Sequence, residues 1–250
     1  MKTAIIIGAT SGIGRELAER LAQDGWKVGV AGRRADRLDA LAAKHAEGAI
    51  IPQVMDITKD DACAALDNLL QKTGAPELFL HVSGIGKQNP DLDEKLEYEM
   101  METNCTGMVR LVSHFINYVK TCGEYSDLRK AHIAVVTSVA GTAGIGQAAA
   151  YSASKRMQMT YVSALAQLAR MRHLPVRFSD IRPGFVATEI LNPNKEYPMM
   201  ISVDKAATCI LKGLRRKKRI ITFDWRFRAL VLLWKLIPRW LWERLTFVKN

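Results

Sequence analysis

Seven apolar runs punctuate the sequence, at Thr3 to Ile7, Lys27 to Ala31, Ala49 to Val54, Leu78 to Val82, His132 to Thr137, Val176 to Ile181 and Arg219 to Phe223. Segments of helical period separate them, near Ile13 to Asp24, Ala35 to His45, Lys59 to Gln71, Asn104 to Lys120, Tyr151 to His173 and Ser202 to Arg216, with Ser202 suited to cap the last. A strand–helix alternation of this kind has few ways to bury both kinds of apolar surface. It predicts an α/β chain: one doubly wound, seven-stranded parallel sheet with helices on both faces. The length of 250 residues suits one such domain over 1–224, followed by a C-terminal extension over 225–250.

The first strand runs directly into Gly8-Ala9-Thr10-Ser11-Gly12-Ile13-Gly14-Arg15 and then a helix. Glycines at 8, 12 and 14 let the backbone approach a pyrophosphate closely and present N–H groups at a helix N-terminus. Gly-Ile-Gly recurs at 84–86 and 144–146, but only the first copy lies between a strand and a long helix; the others read as loop glycines at the same sheet edge. The setting is Rossmann-type, and its strand order 3-2-1-4-5-6 places strand three at the sheet edge, where Pro52 can be tolerated. A carboxylate at the end of strand two would bind the ribose hydroxyls of NAD, but this chain has Ala31-Gly32-Arg33-Arg34 there, and Arg15 follows the glycine loop. Guanidinium groups suit a 2′-phosphate, so the expected cofactor is NADP(H).

Ser138 follows the fifth strand, and Tyr151 precedes Lys155 by one helical turn. A free phenol titrates near 10 and is a poor acid or base at neutrality; a neighbouring ammonium would favour its phenolate. Lys155 can supply that charge. Ser138 can hold a substrate oxygen within reach of the phenol.

Gly8-xxx-Gly12-x-Gly14 with Tyr151-xxx-Lys155 resembles the short-chain dehydrogenase/reductase family over about residues 3 to 223. The resemblance implies hydride transfer between NADP(H) and a carbonyl or secondary alcohol, with Tyr151 as general acid/base. It also implies that Asp56 and Ile57 lie by the adenine, that Asn104 stands behind Lys155 in a water relay, and that Pro183, Gly184, Val186 and Thr188 hold the nicotinamide. Where the family commonly has Asn-Asn-Ala-Gly, this chain has His81-Val82-Ser83-Gly84, so only Gly84 is kept. We read His81 as a satisfied strand histidine. The family further implies a homodimer through the helices at Asn104 to Lys120 and Tyr151 to His173. A sensor or scaffold that binds NADPH without turnover is the alternative on the same fold.

The net charge of +11 is concentrated at one end. Residues 1–211 hold 24 Lys/Arg against 23 Asp/Glu, whereas 212–250 hold 12 against Asp224 and Glu243, and carry Trp225, Trp234, Trp240 and Trp242. Ala229 to Trp234 is apolar on every helical face, so the tail must be covered by something. The candidates are a bilayer interface, which would make the protein a membrane-surface reductase of keto-lipids or steroids, or protein, as a cover for the substrate cleft or a subunit contact. The Arg215 to Arg219 run fits a helix C-terminus better than nucleic acid. The short segment Glu189 to Ile201, with Met199 and Met200, suggests an open pocket for an apolar substrate. Four scattered cysteines and no histidine at ligand spacing point to reduced thiols, no metal and a cytoplasmic setting, with a peripheral membrane location the variant of that expectation.

Overall fold

A computed structural model describes residues 1–191, 197–223 and 225–245. Its strands are β1 (Thr3–Ile7), β2 (Lys27–Gly32), β3 (Ile50–Val54), β4 (Leu78–His81), β5 (Ala131–Val136), β6 (Val176–Ile181) and β7 (Ile220–Ile221). They form one parallel sheet in the order β3-β2-β1-β4-β5-β6-β7. Pro52 lies on β3, paired with Val30 of β2 at the sheet edge, where its missing N–H costs no ladder bond on the open side.

Side chains alternate across the sheet, and each face has its own helices. Ile6, Val28 and Val30 pack with α1 (Gly12–Gln23), α2 (Ala35–Ala42) and α7 (Val203–Arg215) through Leu17, Leu38 and Ile210. Ile5, Ile7 and Phe79 pack on the other face with α3 (Ala62–Thr73), α5 (Met108–Thr121) and α6 (Ala149–Met171) through Leu66, Phe115 and Val162. Phe79 and Phe115 stack with ring centroids 4.4 Å apart. Ser202 caps α7 by accepting from the Lys205 N–H, as its position before the helix predicts.

The crossover between β4 and β5 departs from the sequence reading. The helical path begins ten residues before Asn104, as α4 (Glu94–Met101), and reaches α5 through a π-helical turn, Glu102–Gly107. The Asp93 carboxylate accepts from the N–H groups of Lys95 and Leu96, and Glu94 and Glu97 sit in the first turn, where acidic groups offset the helix dipole. Within the π turn the backbone is wider than an α-helix, and Asn104 is carried there, fully buried.

The extension is helical: α8 (Trp225–Leu236) and, after Pro238, α9 (Arg239–Trp242). It turns back over the C-terminal ends of the strands.

Candidate active site

A cleft opens at the C-terminal ends of β1 and β4, where the strand order reverses. Gly8 leaves β1 with φ 95°, and a Cβ there would stand 2.6 Å from the Ser83 nitrogen, so the loop can pass the β4 end only with glycine. Thr10, Ser11, Gly12, Ile13 and Gly14 follow along the cleft wall and open α1. Backbone donors at a helix start, with no side chain in the way, make a cradle that fits a pyrophosphate.

The expected arginines divide. Arg33 is exposed on the cleft wall and, among the described residues, forms no ion pair. Arg34 is already engaged: its guanidinium donates to Thr10 Oγ1 (2.6 and 3.1 Å), to Ser11 Oγ (2.8 Å) and to Glu189 (3.0 Å). Arg37 holds the other Glu189 oxygen at 2.6 Å, and the two guanidinium groups hold that carboxyl down to about 2. Arg15 does not line the cleft; it pairs with Glu19 one turn along α1. Asp56 and Ile57 lie on the wall below Arg33. Burial would raise the Asp56 carboxyl, but two hydrogen bonds from Thr58 and the Arg33 charge outweigh it and leave it below its ordinary value.

Deeper in, Ser138, Tyr151 and Lys155 converge. Ser138 leaves β5 in extended conformation and accepts from the Ala140 N–H, and its hydroxyl is the hydrogen-bond partner of the Tyr151 phenol. The Lys155 ammonium lies 5.8 Å from the Tyr151 ring centroid. Burial pushes the Tyr151 phenol up, and the Ser138 hydrogen bond only partly offsets it. That reverses the expected direction, because an ammonium at this distance does not outweigh desolvation. Burial also pushes Lys155 down, to about 8, against the opposing influence of Cys105 and Asp180.

Asn104 sits behind the lysine and is bound on every side. Its amide pairs with both backbone groups of Ile85 (2.9 and 2.8 Å) and donates to Ser154 Oγ at 3.0 Å. Its backbone carbonyl accepts from Gln158 Nε2 at 2.7 Å, while Gln158 Oε1 accepts from Lys155 Nζ at 3.0 Å. Sequence reading missed Gln158. Its signal was a glutamine three residues after the lysine, on the same helix face. His81 also differs from expectation: it is fully buried, and among the described residues neither ring nitrogen has a partner. Burial, then the Lys155 charge, holds its pKa down to about 3, so the ring is neutral.

The family pattern described as short chain dehydrogenase matches residues 2–198. The chain belongs to the short-chain dehydrogenase/reductase family. An "Uncharacterized oxidoreductase" of Myxococcus xanthus is 30% identical over 250 residues, covering 97% of this chain and 95% of that protein. Among solved structures, a short-chain dehydrogenase/reductase of Burkholderia phymatum in complex with NAD superposes with TM-score 0.77 at 22% identity, covering 93% of this chain and 92% of the other. A short-chain dehydrogenase of Sphingobium yanoikuyae in complex with NADPH gives 0.77 at 21%, covering 100% and 98%. These last two speak for the fold. This short-chain dehydrogenase is therefore an NAD(P)-binding oxidoreductase.

A second cavity of about 730 Å³ adjoins the dehydrogenase cleft and shares Ser138, Tyr151 and Gly184 with it. Its remaining wall is largely apolar and includes Ile145, Phe185, Tyr197 and Met199. The C-terminal extension forms one of its walls. Phe227 and Trp234 of α8 line the cavity, and a Cβ on Gly184 would meet the Phe227 ring at 2.2 Å. Trp242 of α9 lies edge-on to Trp234, with centroids 5.4 Å apart, and donates Nε1–H to the Gly144 carbonyl at 2.7 Å. The inner face of the tail thus lies against this apolar cavity. Pro183, Val186 and Thr188 lie on the cleft side of this junction. Part of the short segment from Glu189 to Ile201, from which an open apolar pocket is expected, falls outside the described residues, at 192–196.

Proposed function

We propose that this oxidoreductase is NADP(H)-dependent and interconverts a carbonyl and a secondary alcohol on an apolar substrate. One observation carries the reading: Ser138 and Tyr151 stand in the wall common to the nucleotide-shaped cleft and the apolar cavity. A substrate oxygen held there by Ser138 is within reach of the phenol, while the rest of the molecule lies against Phe185, Phe227 and Trp234.

The glycine loop would hold the pyrophosphate, Arg33 the 2′-phosphate, Asp56 and Ile57 the adenine side, and Pro183, Val186 and Thr188 the nicotinamide. When bound, the nicotinamide supplies or takes the hydride. In reduction, the neutral Tyr151 phenol gives its proton to the carbonyl oxygen; in oxidation it takes that proton back. The phenol pushed up by burial favours the acid role. Lys155 stabilises the tyrosinate left after transfer, and Gln158 and Asn104 fix the ammonium in place. A homodimer through α5 and α6 belongs to the same reading, supported by the exposed Leu168 and Met171 on α6.

The test is NADPH oxidation with a panel of apolar ketones. Tyr151→Phe should slow turnover by about 10²- to 10⁴-fold while leaving NADPH binding intact. Unchanged turnover would refute the tyrosine mechanism. Tight NADPH binding by the wild type with no turnover on any ketone would instead make the protein a sensor.

A further inference from the structure

The C-terminal helix pair has two apolar faces. Phe227, Val231 and Trp234, spaced as one face of α8, turn inward: Phe227 is buried and Trp234 lines the apolar cavity. Ala229, Leu232, Leu233 and Leu236, spaced as the opposite face, turn outward, with the three leucines 61–78% exposed. Trp240 and Leu241 of α9 are exposed as well. Over 225–245 there are five Lys/Arg and one acidic residue, Glu243. Arg244 lies over the Trp240 ring at 5.5 Å, so an aromatic and a cation share one position at the edge of the apolar surface. Among the described residues no helix is long and apolar enough to cross a membrane.

We propose that this outer face docks on an anionic lipid surface, so that α8 separates the acyl layer from the substrate cavity beneath. The leucines would enter the acyl boundary, Trp240 would sit at headgroup level, and the exposed Arg239 and Arg244 would meet lipid phosphate. A second copy of the chain is a poorer occupant. A two-fold pairing through α8 would set the same basic helices face to face, with Glu243 alone to answer them. The further consequence, that an apolar substrate reaches Tyr151 from the lipid side, rests on the reductase reading; the docking does not.

The experiment is sedimentation of the full chain with vesicles of phosphatidylcholine alone and with about one-third phosphatidylglycerol. The expected result is partitioning at least about tenfold stronger on the anionic vesicles and weakened by high salt. The double variant Leu232→Ser, Leu236→Ser should lose about tenfold or more of that partitioning while keeping the wild-type far-UV circular dichroism, which reports its folding. Wild-type protein that stays in the supernatant with anionic vesicles overturns the proposal, whatever the variant does. So does a variant that pellets like wild type, or a lipid-free dimer that the double variant dissolves. None of these readouts uses turnover, so a failure of the reductase reading would be seen separately, in the ketone assay.

Discussion

The Lys155 ammonium donates to the side-chain oxygen of Gln158 at 3.0 Å, and both residues are buried. The other end of the Gln158 amide donates to the Asn104 backbone carbonyl, so a protein side chain spans the gap where the family resemblance implies a water relay. Gln158 is therefore a positioning residue for the lysine.

Gln158→Leu should leave a buried cation and a buried carbonyl each short of a partner, at a cost of about 1–3 kcal/mol per group. We expect kcat to fall about tenfold or more with little change in the ketone KM, and the alkaline limb of the pH profile to move down. Gln158→Glu keeps an acceptor and adds a negative charge, so its alkaline limb should move up. Superimposable pH profiles for the wild type and both variants would remove Gln158 from this role.

Lys155 also sets a pH window. Its folded value, about 8, lies below its ordinary value of 10.5 because burial disfavours the charged form. The ammonium that would support the tyrosinate in the proposed mechanism is thus present below about 8 and lost above it. In the free enzyme, kcat/KM for ketone reduction should fall as pH rises through that value. The sign for stability is opposite. Between about 8 and 10.5 the unfolded chain holds the Lys155 proton and the folded chain does not, so this group raises stability with pH across that window. Rate and denaturant midpoint measured over the same buffers should diverge there.

Cofactor choice should depend on Arg33 more than on its neighbour. Arg34 is tied to Thr10, Ser11 and Glu189, whereas Arg33 faces the cleft. Arg33→Ala should raise the NADPH KM by roughly tenfold or more, the equivalent of one charge-assisted hydrogen bond, and leave the NADH KM nearly unchanged. Equal effects on the two cofactors would count against a 2′-phosphate contact.

Gly184 and Phe227 should be energetically coupled. Gly184→Ala places a methyl inside the Phe227 ring and should unseat α8, costing about 1–3 kcal/mol and opening the C-terminal segment to limited proteolysis. Adding Phe227→Ala should remove the clash, making the double variant less destabilised than the two single changes summed. Additive losses would show that the two sites act independently.

The sheet was legible because Ile5 to Ile7 and Leu78 to Leu80 are apolar runs of strand length, and the glycine loop fixes where the first helix starts. The Ser138, Tyr151 and Lys155 set was legible from spacing, because a helix face and a strand end bring them together whatever surrounds them. What escaped depends on neighbours distant in sequence. Helix α4 buries only Met100 and so shows little apolar period; its signal was the Asp93 cap. The missing partners of His81, the engagement of Arg34 with Glu189 155 positions away, and the raised Tyr151 phenol all follow from packing that no local pattern encodes. The tail was readable as a segment needing cover, but an all-round apolar helix does not say which face goes inward.

Because the Phe227 ring occupies the volume that any side chain at position 184 would claim, the catalytic domain and its extension are matched parts. Grafted onto a homologue with alanine or serine at that position, the same helix pair would have no socket. A chimera that exchanged tails to transfer substrate preference would therefore have to carry Gly184 along with the helices.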